Sequence, residues 1–354
     1  MDDEREAKPL ADSLSAQIEA LLKTVTPKAR AKRRPGKKSK GKRMRKLNYE
    51  LRQLCLRNRD GSFATQADRQ RCLDLCAKQL YALGFKHMRV SSLKQKHIDA
   101  LIALWLSQGL STGTIKNRLA HLRWWAEKTG KANLMARSND AYGIPDRVYV
   151  TNVSKAKDLI PAQLARVSDR CSRYSLRLEA EFGMRMEESQ KIRMAWADRG
   201  DRLVLKDSWT KGGREREIPI RTAEQRALVD EVKAFAGQGS LIPEGMSYKQ
   251  QRNRFKSQCR AAGIHGVHGH RHQYAQRRYR EETGWECPCC GGPKSKDLTP
   301  QQKARDREVR LMISREMGHG REQVVAVYLG QSAVMRSKGR NAPPSKEPGD
   351  PVCA

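Results

Sequence analysis

The apolar residues recur at helical spacing over most of the chain, and this pattern predicts a mainly helical protein. Between residues 47 and 131, three stripes of apolar side chains repeat every three or four positions, as on the buried face of a helix. The stripes comprise Leu73, Cys76, Leu80 and Leu83; Ile98, Leu101, Ile102 and Trp105; and Ile115, Leu119, Leu122 and Trp125. Thr65 with Asp68 predicts a capping box for the first helix, and Ser111 predicts the cap of the third. We therefore expect residues 47–131 to form a small helical domain.

Residues 153–335 repeat the helical pattern but also contain one predicted pair of strands. Residues 202–206 and 215–220 have β-type patterns on either side of a Gly-Gly turn, where Lys211 lies. The expected fold class is therefore mainly α with a small β-sheet, an α+β protein. Residues 132–152 lack a clear periodicity, which indicates a linker between two domains.

Two further segments flank these domains. Residues 1–46 begin with one amphipathic stretch, which either docks on a neighbouring protomer or frays as a marginal helix. Its apolar face comprises Leu10, Leu14, Ile18, Leu21 and Leu22. Residues 336–354 are rich in Pro, Ser and Gly, and this composition predicts a disordered tail.

A basic arm follows the amphipathic stretch, with twelve positive charges and no acidic residue between positions 28 and 46. Such a run favours a disordered segment that contacts DNA phosphates, and the alternative is a solubilising tail. The candidate DNA-binding residues in the arm are Arg33, Arg34, Lys37, Lys38 and Arg43. A second candidate set lies on the polar face of the third predicted helix, for which an ordinary solvated surface is the alternative. This set comprises Lys116, Arg118 and Arg123.

The overall charge supports a nucleic-acid partner. The 354 residues include 71 Lys and Arg against 39 Asp and Glu, a formal net charge of +32. This excess is larger than solubility requires and predicts a polyanionic partner. No apolar run reaches the length of a membrane span and no signal-peptide pattern opens the sequence, so we expect a cytoplasmic, nucleoid-associated protein. The nine cysteines are irregularly spaced, which favours reduced thiols.

One motif near the C-terminal end indicates chemistry. Gly318 and His319 are followed by Tyr328, nine positions after the histidine. Val324, Val325 and Val327 lie between them at helical spacing. Gly318 should end the preceding helix, so we expect His319 and Tyr328 at opposite ends of one short helix. A tyrosine in such a place is commonly a half-buried packing residue, and the sequence upstream decides between that interpretation and a functional one.

The upstream residues complete a recognisable series. Arg185 is followed three positions later by Glu188, Lys211 lies in the predicted hairpin, and His268 precedes Arg271 by three positions. The chain therefore presents, in order, an arginine, an acid, a hairpin lysine, a His-x-x-Arg element, a Gly-His pair and a tyrosine. This series resembles that of the tyrosine recombinases, the phage and mobile-element integrases, over roughly residues 50–335.

The resemblance implies a reaction and a role for each matching residue. Tyr328 would attack a DNA phosphodiester and form a 3′-phosphotyrosine, while Arg185 and Arg271 stabilise the charge on phosphate. Further roles follow for the remaining four residues. His268 would accept the tyrosine proton, His319 would hydrogen-bond the phosphate, Lys211 would protonate the leaving 5′-oxygen, and Glu188 would orient the site. No cofactor or catalytic metal is implied.

The resemblance also implies an architecture and partners. Residues 47–131 would be a core-binding domain of the SAM-like type and residues 153–335 the catalytic domain, and the two would form a clamp around double-stranded DNA attachment sites. We expect a monomer alone and a homotetramer on paired DNA, with a possible accessory DNA-bending or directionality factor. Two alternatives stay open: a topoisomerase-IB-like or telomere-resolving relative, and a DNA-binding protein that keeps the fold without the activity.

Two features depart from the family pattern. His270 stands where leucine usually packs before the second arginine, which raises a question about the local core. Cys287, Cys289 and Cys290 lie in an insertion-like stretch and favour a reduced cysteine turn. The alternative is a structural zinc site, with Cys259 or a histidine as fourth ligand.

Overall fold

The computed structural model describes residues 45–319 and 322–331, which fall into two compact units with a boundary between Arg147 and Val148. The amphipathic stretch, most of the basic arm with its five candidate DNA-binding residues, and the predicted tail at 336–354 lie outside the described residues. Within them, no helix is both long and apolar enough to cross a membrane.

The first unit is built from four helices. These are α1 (Lys46–Arg57), α2 (Phe63–Ala82), α3 (Gln95–Ser107) and α4 (Thr112–Lys128). The three apolar stripes predicted from the sequence supply its core: except for Leu83, which is half-buried, every member is buried. The helical pattern was therefore a sound guide here, because each stripe faces the same core.

The helix caps were predicted with mixed success. Ser111 caps α4 as expected, because its hydroxyl accepts a hydrogen bond from the backbone N–H of Thr114 at 3.3 Å. The predicted capping box of Thr65 and Asp68 is wrong. Ser62 caps α2 instead, and its hydroxyl accepts from the Thr65 N–H at 3.3 Å, so the helix begins one turn earlier.

Much of the segment predicted as a linker packs within the first unit. Short 3₁₀ turns occupy Ala132–Leu134 and Asp140–Tyr142. Met135 and Ile144 are buried in the same core as the four helices. Residues 148–159, in the second unit, have no regular structure.

The second unit contains nine helices and two strands in its described part. In chain order these are α5 (Pro161–Ala165), α6 (Arg170–Phe182), α7 (Met186–Lys191), α8 (Met194–Ala197), β1 (Arg202–Leu205), β2 (Arg216–Pro219), α9 (Ala223–Ala236), α10 (Tyr248–Ala261), α11 (His268–Thr283), α12 (Pro300–Glu316) and α13 (Ala326–Leu329). The expected class, mainly α with a small sheet, is confirmed.

The two strands form an antiparallel hairpin in which Arg202 pairs with Pro219 and Leu205 with Arg216. Alternate residues of β2 face inward, so that Arg216 and Ile218 are buried while Glu217 is exposed. An arginine thus occupies a core-facing position of this strand.

Helix α11 lies at the centre of the packing that builds the site, since it contacts α6, α12 and α13. Tyr274 and Tyr279 of α11, Ile313 of α12 and Leu329 of α13 are buried in one cluster. Because these side chains fix α13 against α11 and α12, they also fix the residue that α13 carries toward the interior, Tyr328.

Candidate active site

Tyr328 lies on α13 with only 6% of its surface exposed. Its hydroxyl oxygen is 3.3 Å from Nε2 of His268 and 3.4 Å from Nε of Arg271. The oxygen thus lies between an imidazole nitrogen and a guanidinium N–H donor. This arrangement can take a proton from the hydroxyl and stabilise the resulting oxyanion.

The segment before Tyr328 differs from the predicted single helix. A 3₁₀ turn at Glu322–Val324 is followed by the four-residue helix α13. Val325 is buried at the junction between the two, whereas Val324 is exposed. The expectation that His319 and Tyr328 terminate one helix is therefore wrong, although their side chains do meet.

Arg271 is the most deeply buried cation of the site, with 1% exposure. Its guanidinium donates to the backbone carbonyls of Gly183 and Met317 and, at 3.2 Å, to Nε2 of His319. Burial is the main cause that lowers the pKa of Arg271, to about 10, and the charges of neighbouring arginines add to it. The group therefore remains positively charged at neutral pH.

Three histidine rings surround the Tyr328 ring. The centroids of His268, His272 and His319 lie 5.8, 4.5 and 5.3 Å from the tyrosine centroid, respectively. Burial is the largest cause that lowers the pKa of each: to about 4 for His272, to about 3 for His319, and below the usual value for His268. All three are neutral at pH 7, so the ring nitrogens of His268 and His319 that face Tyr328 and Arg271 can accept hydrogen bonds.

Glu188 joins two arginines at one buried carboxylate. Its Oε1 accepts from Nη1 of Arg185 at 2.6 Å, and its two oxygens accept a bidentate pair from Arg216 at 2.8 and 2.7 Å. Burial favours the protonated form of Glu188, but the hydrogen bonds and charge of Arg216, with the charge of Arg185, lower the pKa to about 2. Glu188 is thus an ionised support for both guanidiniums.

Arg185 and Arg271 are fixed to successive carbonyls at the end of α12. Arg185 Nη2 lies 3.5 Å from the carbonyl oxygen of Gly318, and Arg271 donates to that of Met317. Two cationic heads are therefore held at the turn that carries His319. Paired guanidiniums in such a place suit a phosphate group with charge on several oxygens.

The remaining candidates lie elsewhere or have other contacts. Lys211 is exposed at the turn of the hairpin. Among the described residues, no hydrogen bond or ion pair links it to the other six residues of the predicted catalytic series. In the first unit, Lys116 forms an ion pair with Asp146 at 2.9 Å and Arg123 donates to the Ala136 carbonyl at 3.1 Å. The Arg118 guanidinium lies 5.2 Å from the ring centroid of Trp105. DNA binding by these three residues stays a prediction.

His270, which departs from the family pattern, keeps one of its two ring nitrogens hydrogen-bonded, while Nε2 is buried without a partner among the described residues. Its side chain is buried, and Nδ1 lies 2.9 Å from the backbone carbonyl oxygen of Lys157. A hydrogen bond therefore takes the place of apolar packing at this position.

Sequence reasoning missed Arg216 and His272. The alternation along β2 could have identified Arg216, because Ile218 on the same face is a core residue. His272 is one helical turn after His268, so it shares its face of α11 and reaches the tyrosine ring. Neither position follows from the motif spacing, since both depend on which elements pack together.

The three cysteines of the insertion-like stretch form one group, with all their sulfur atoms within 4.8 Å of one another. They could hold a metal ion. Cys259, suggested as a fourth ligand, is buried in a different cluster with Phe255 and Val167.

Comparison with known proteins identifies the family. Residues 44–135 match a family described as phage integrase, N-terminal, and residues 147–277 match a family described as integrase. Together the two matches cover more than half of the chain. The chain belongs to the tyrosine recombinase family.

Solved structures share the fold. A lambda integrase dimer bound to a COC′ core site is 13% identical with a TM-score of 0.53, and the similarity covers 85% of this chain and 99% of that chain. A lambda integrase tetramer bound to a Holliday junction is 12% identical with a TM-score of 0.53, covering 82% of this chain and 79% of that chain. No curated protein matches the sequence significantly.

Proposed function

We propose that the protein is a site-specific DNA recombinase that cuts and rejoins DNA through a 3′-phosphotyrosine, and that it integrates or excises a mobile element. The observation that carries this proposal is the position of the Tyr328 hydroxyl between His268 Nε2 and Arg271 Nε, at 3.3 and 3.4 Å. Any buried tyrosine hydroxyl needs a hydrogen-bond partner, but a neutral imidazole acceptor together with a buried guanidinium at the same oxygen is the pair that an attacking phenol requires.

In the cleavage step, the Tyr328 oxygen forms a bond to phosphorus as the bond from phosphorus to the 5′-oxygen breaks. His268, neutral at pH 7, accepts the phenolic proton. Lys211, exposed at the turn of the hairpin, donates a proton to the leaving 5′-oxygen. The products are a phosphotyrosine on one DNA end and a free 5′-hydroxyl on the other.

The arginines stabilise the pentavalent transition state, in which charge accumulates on the non-bridging oxygens. Arg271 and Arg185 supply N–H donors, and His319 supplies a further hydrogen bond. Removal of one such donor typically costs on the order of 100- to 1000-fold in rate. Glu188 and Arg216 do not touch substrate in this scheme, and their role is to position Arg185.

Rejoining is the reverse of cleavage, with the 5′-hydroxyl of a second strand as nucleophile. One ester replaces another, so the exchange needs no nucleotide hydrolysis. Each site cuts one strand, and exchange between two duplexes involves four strands. We therefore propose that four protomers assemble on two paired DNA sites, with the helical first unit and the catalytic second unit both in contact with DNA.

A suicide substrate tests the proposal. The substrate is a nicked attachment-site duplex from which the short 5′-hydroxyl fragment diffuses away after cleavage, so that a covalent adduct accumulates on a denaturing gel. Wild type should form this adduct without added magnesium. The Tyr328→Phe variant should bind the same DNA without forming it.

Tyr174→Phe is the matched control, because Tyr174 is a half-buried tyrosine that packs on Phe235 in another part of the unit. It should form the adduct like wild type. Adduct formation by Tyr328→Phe would refute the assignment of the nucleophile.

A further inference from the structure

The turn after α11 brings three thiols together beside the helix that carries Tyr328. The sulfur atoms of Cys287 and Cys289 are 3.5 Å apart, and all three sulfurs lie within 4.8 Å of one another. Among the described residues, this is the one group of three or more potential metal-ligating side chains at such distances. No role in DNA cleavage accounts for it.

The sulfur distances suit a thiophilic divalent cation. Zn–S bonds of about 2.3 Å in a tetrahedron place sulfur atoms roughly 3.8 Å apart. The Cys287–Cys289 separation of 3.5 Å is close to this value and the other two are no longer than 4.8 Å, so small side-chain rotations bring the three sulfurs to a common ion. Cys287 and Cys290 also have the two-residue spacing that recurs among zinc ligands.

The backbone of the turn stabilises the positions of the three cysteines. Residues Pro288–Cys290 form a 3₁₀ turn, and the backbone N–H of Gly292 donates to the carbonyl of Cys287 at 3.0 Å. A Cβ at Gly292 would lie 1.6 Å from the carbonyl oxygen of Glu286, so a larger residue cannot enter the turn without moving it. The three side chains are therefore fixed on one short, closed loop.

The side-chain amide of Gln276 links the thiols to α13, the helix that carries Tyr328. Its Nε2 donates to Cys289 Sγ at 3.3 Å and to the backbone carbonyl of Tyr328 at 3.0 Å. Its Oε1 accepts from Cys290 Sγ at 3.2 Å. An N–H donor to sulfur is the kind of outer contact that stabilises a metal-bound thiolate and orients it.

We propose that Cys287, Cys289 and Cys290 bind one Zn²⁺ as three thiolates, with water as the fourth ligand, and that the ion fixes the turn against α13. Binding displaces the three thiol protons into solvent, so the hydrogen bonds that Cys289 Sγ donates to the Tyr328 carbonyl and Cys290 Sγ donates to Gln276 Oε1 are lost. Gln276 then donates to the Cys289 thiolate and to the Tyr328 carbonyl, which couples the metal site to the backbone of the nucleophile. The proposed ion is structural, and it takes no part in the transfer of the phosphoryl group.

Metal content of the full-length protein tests this proposal without any activity assay. Wild type and variants are purified under reducing conditions, loaded with zinc, desalted and analysed by mass spectrometry for metals. Wild type should retain about one zinc per chain, because three thiolates hold the ion. Cys289→Ser and Cys290→Ser should lose most of it.

Cys171→Ser is the matched control, because Cys171 is a half-buried cysteine of α6 outside the group. It should retain zinc like wild type. Wild type loaded with Co²⁺ should also show thiolate-to-cobalt charge-transfer absorption, which Cys290→Ser should lack. Since Cys290 is exposed, its replacement is the variant least expected to disturb folding.

Three results would overturn the proposal: wild type with no more zinc than Cys290→Ser, equal zinc in all variants, or an intact mass showing a disulfide in the reduced preparation. Thermal unfolding adds a second readout. Zinc should raise the melting temperature of wild type but not that of Cys290→Ser, because only a protein that binds the ion gains stability from it. Equal shifts in both proteins would also contradict the site.

Discussion

At the scale of single residues, Arg216 is the clearest case of a side chain that acts through another. It is 4% exposed and forms a bidentate ion pair with Glu188, which also holds Arg185. A buried carboxylate that loses one partner shifts toward the other or takes up a proton. The geometry of Arg185 therefore depends on Arg216.

The first prediction concerns the variant Arg216→Lys. Lysine cannot reproduce a bidentate guanidinium contact, so Arg185 should lose its alignment and the cleavage rate should fall on the order of 10- to 100-fold. DNA affinity should change little, because Arg216 is buried. Single-turnover cleavage and DNA-binding titrations measure the two effects.

Arg202→Lys on the neighbouring strand is the control for that change. Arg202 also pairs with carboxylates, Asp201 and Glu217, but its side chain is 42% exposed. This variant should cleave like wild type. An equal loss of rate in both variants would show that hairpin stability, and not the position of Arg185, accounts for the effect.

The second prediction follows from the neutral histidines around Tyr328. Burial lowers the pKa of His272 from 6.5 to about 4. The unfolded chain therefore binds more protons than the folded one between pH 6.5 and 4, and the free energy of unfolding should fall as pH decreases through this window. His272→Phe keeps a ring beside Tyr328 without a titrating group.

Urea unfolding at pH 7 and pH 5 measures this difference. Wild type should lose on the order of 1–2 kcal/mol more than His272→Phe between the two values, since one pKa unit corresponds to about 1.4 kcal/mol. His265→Phe, a replacement of an exposed histidine, should show the wild-type loss. Identical pH dependence in wild type and His272→Phe would contradict a buried neutral His272.

At the scale of elements, the end of α12 determines where His319 lies and where the side chains of Arg185 and Arg271 are held. Gly318 has φ +65°, and a Cβ there would lie 2.7 Å from Nη1 of Arg216. Gly284 ends α11 with φ +82°, but a Cβ there has nothing within 4 Å. The two glycines share a left-handed backbone and differ in their surroundings.

The third prediction compares Gly318→Ala with Gly284→Ala. Both should lose about 1 kcal/mol of stability from the strained backbone conformation. Gly318→Ala should lose more and also cleave DNA at least about 10-fold more slowly, because its methyl group displaces Arg216. Thermal melts and single-turnover cleavage test this, and equal effects of the two variants would show that only backbone strain matters.

The same elements show why some features could be predicted from sequence and others not. The stripes of α2, α3 and α4 repeat over several turns, and the hairpin has alternating strands, so local periodicity was enough. The cap of α2 at Ser62 and the one-turn helix α13 were missed, because short elements leave few positions for a pattern. Motif order predicted that Arg185, Arg271 and Tyr328 share one site, whereas the positions of Arg216 and His272 depend on packing between distant segments.

At the scale of the whole molecule, the net charge of +32 is concentrated in part near the N-terminal end. Ten of the twelve cations in residues 28–46 lie before residue 45. If the arm contacts phosphates, it contributes affinity that does not depend on DNA sequence.

The fourth prediction is that deletion of residues 1–44 flattens the salt dependence of DNA binding. The slope of log affinity against log salt should become shallower by about 0.9 for each phosphate that the arm neutralises in the intact protein. Deletion of residues 1–26 alone removes the amphipathic stretch but keeps the arm, and it should leave the slope unchanged. Fluorescence anisotropy across a salt series gives the slopes, and equal slopes for both deletions would exclude the arm from DNA contact.

The central claim is that Tyr328 becomes covalently attached to DNA, and peptide mapping of the adduct tests it most directly. Wild type is trapped on the suicide substrate, the DNA is digested to a short remnant, and the protein is cleaved with trypsin. The tryptic peptide that begins at Glu322 ends at Arg336 and contains one tyrosine. We predict the nucleotide remnant on Tyr328 of this peptide, whereas a remnant on another residue, or no adduct on cognate DNA, would contradict the account.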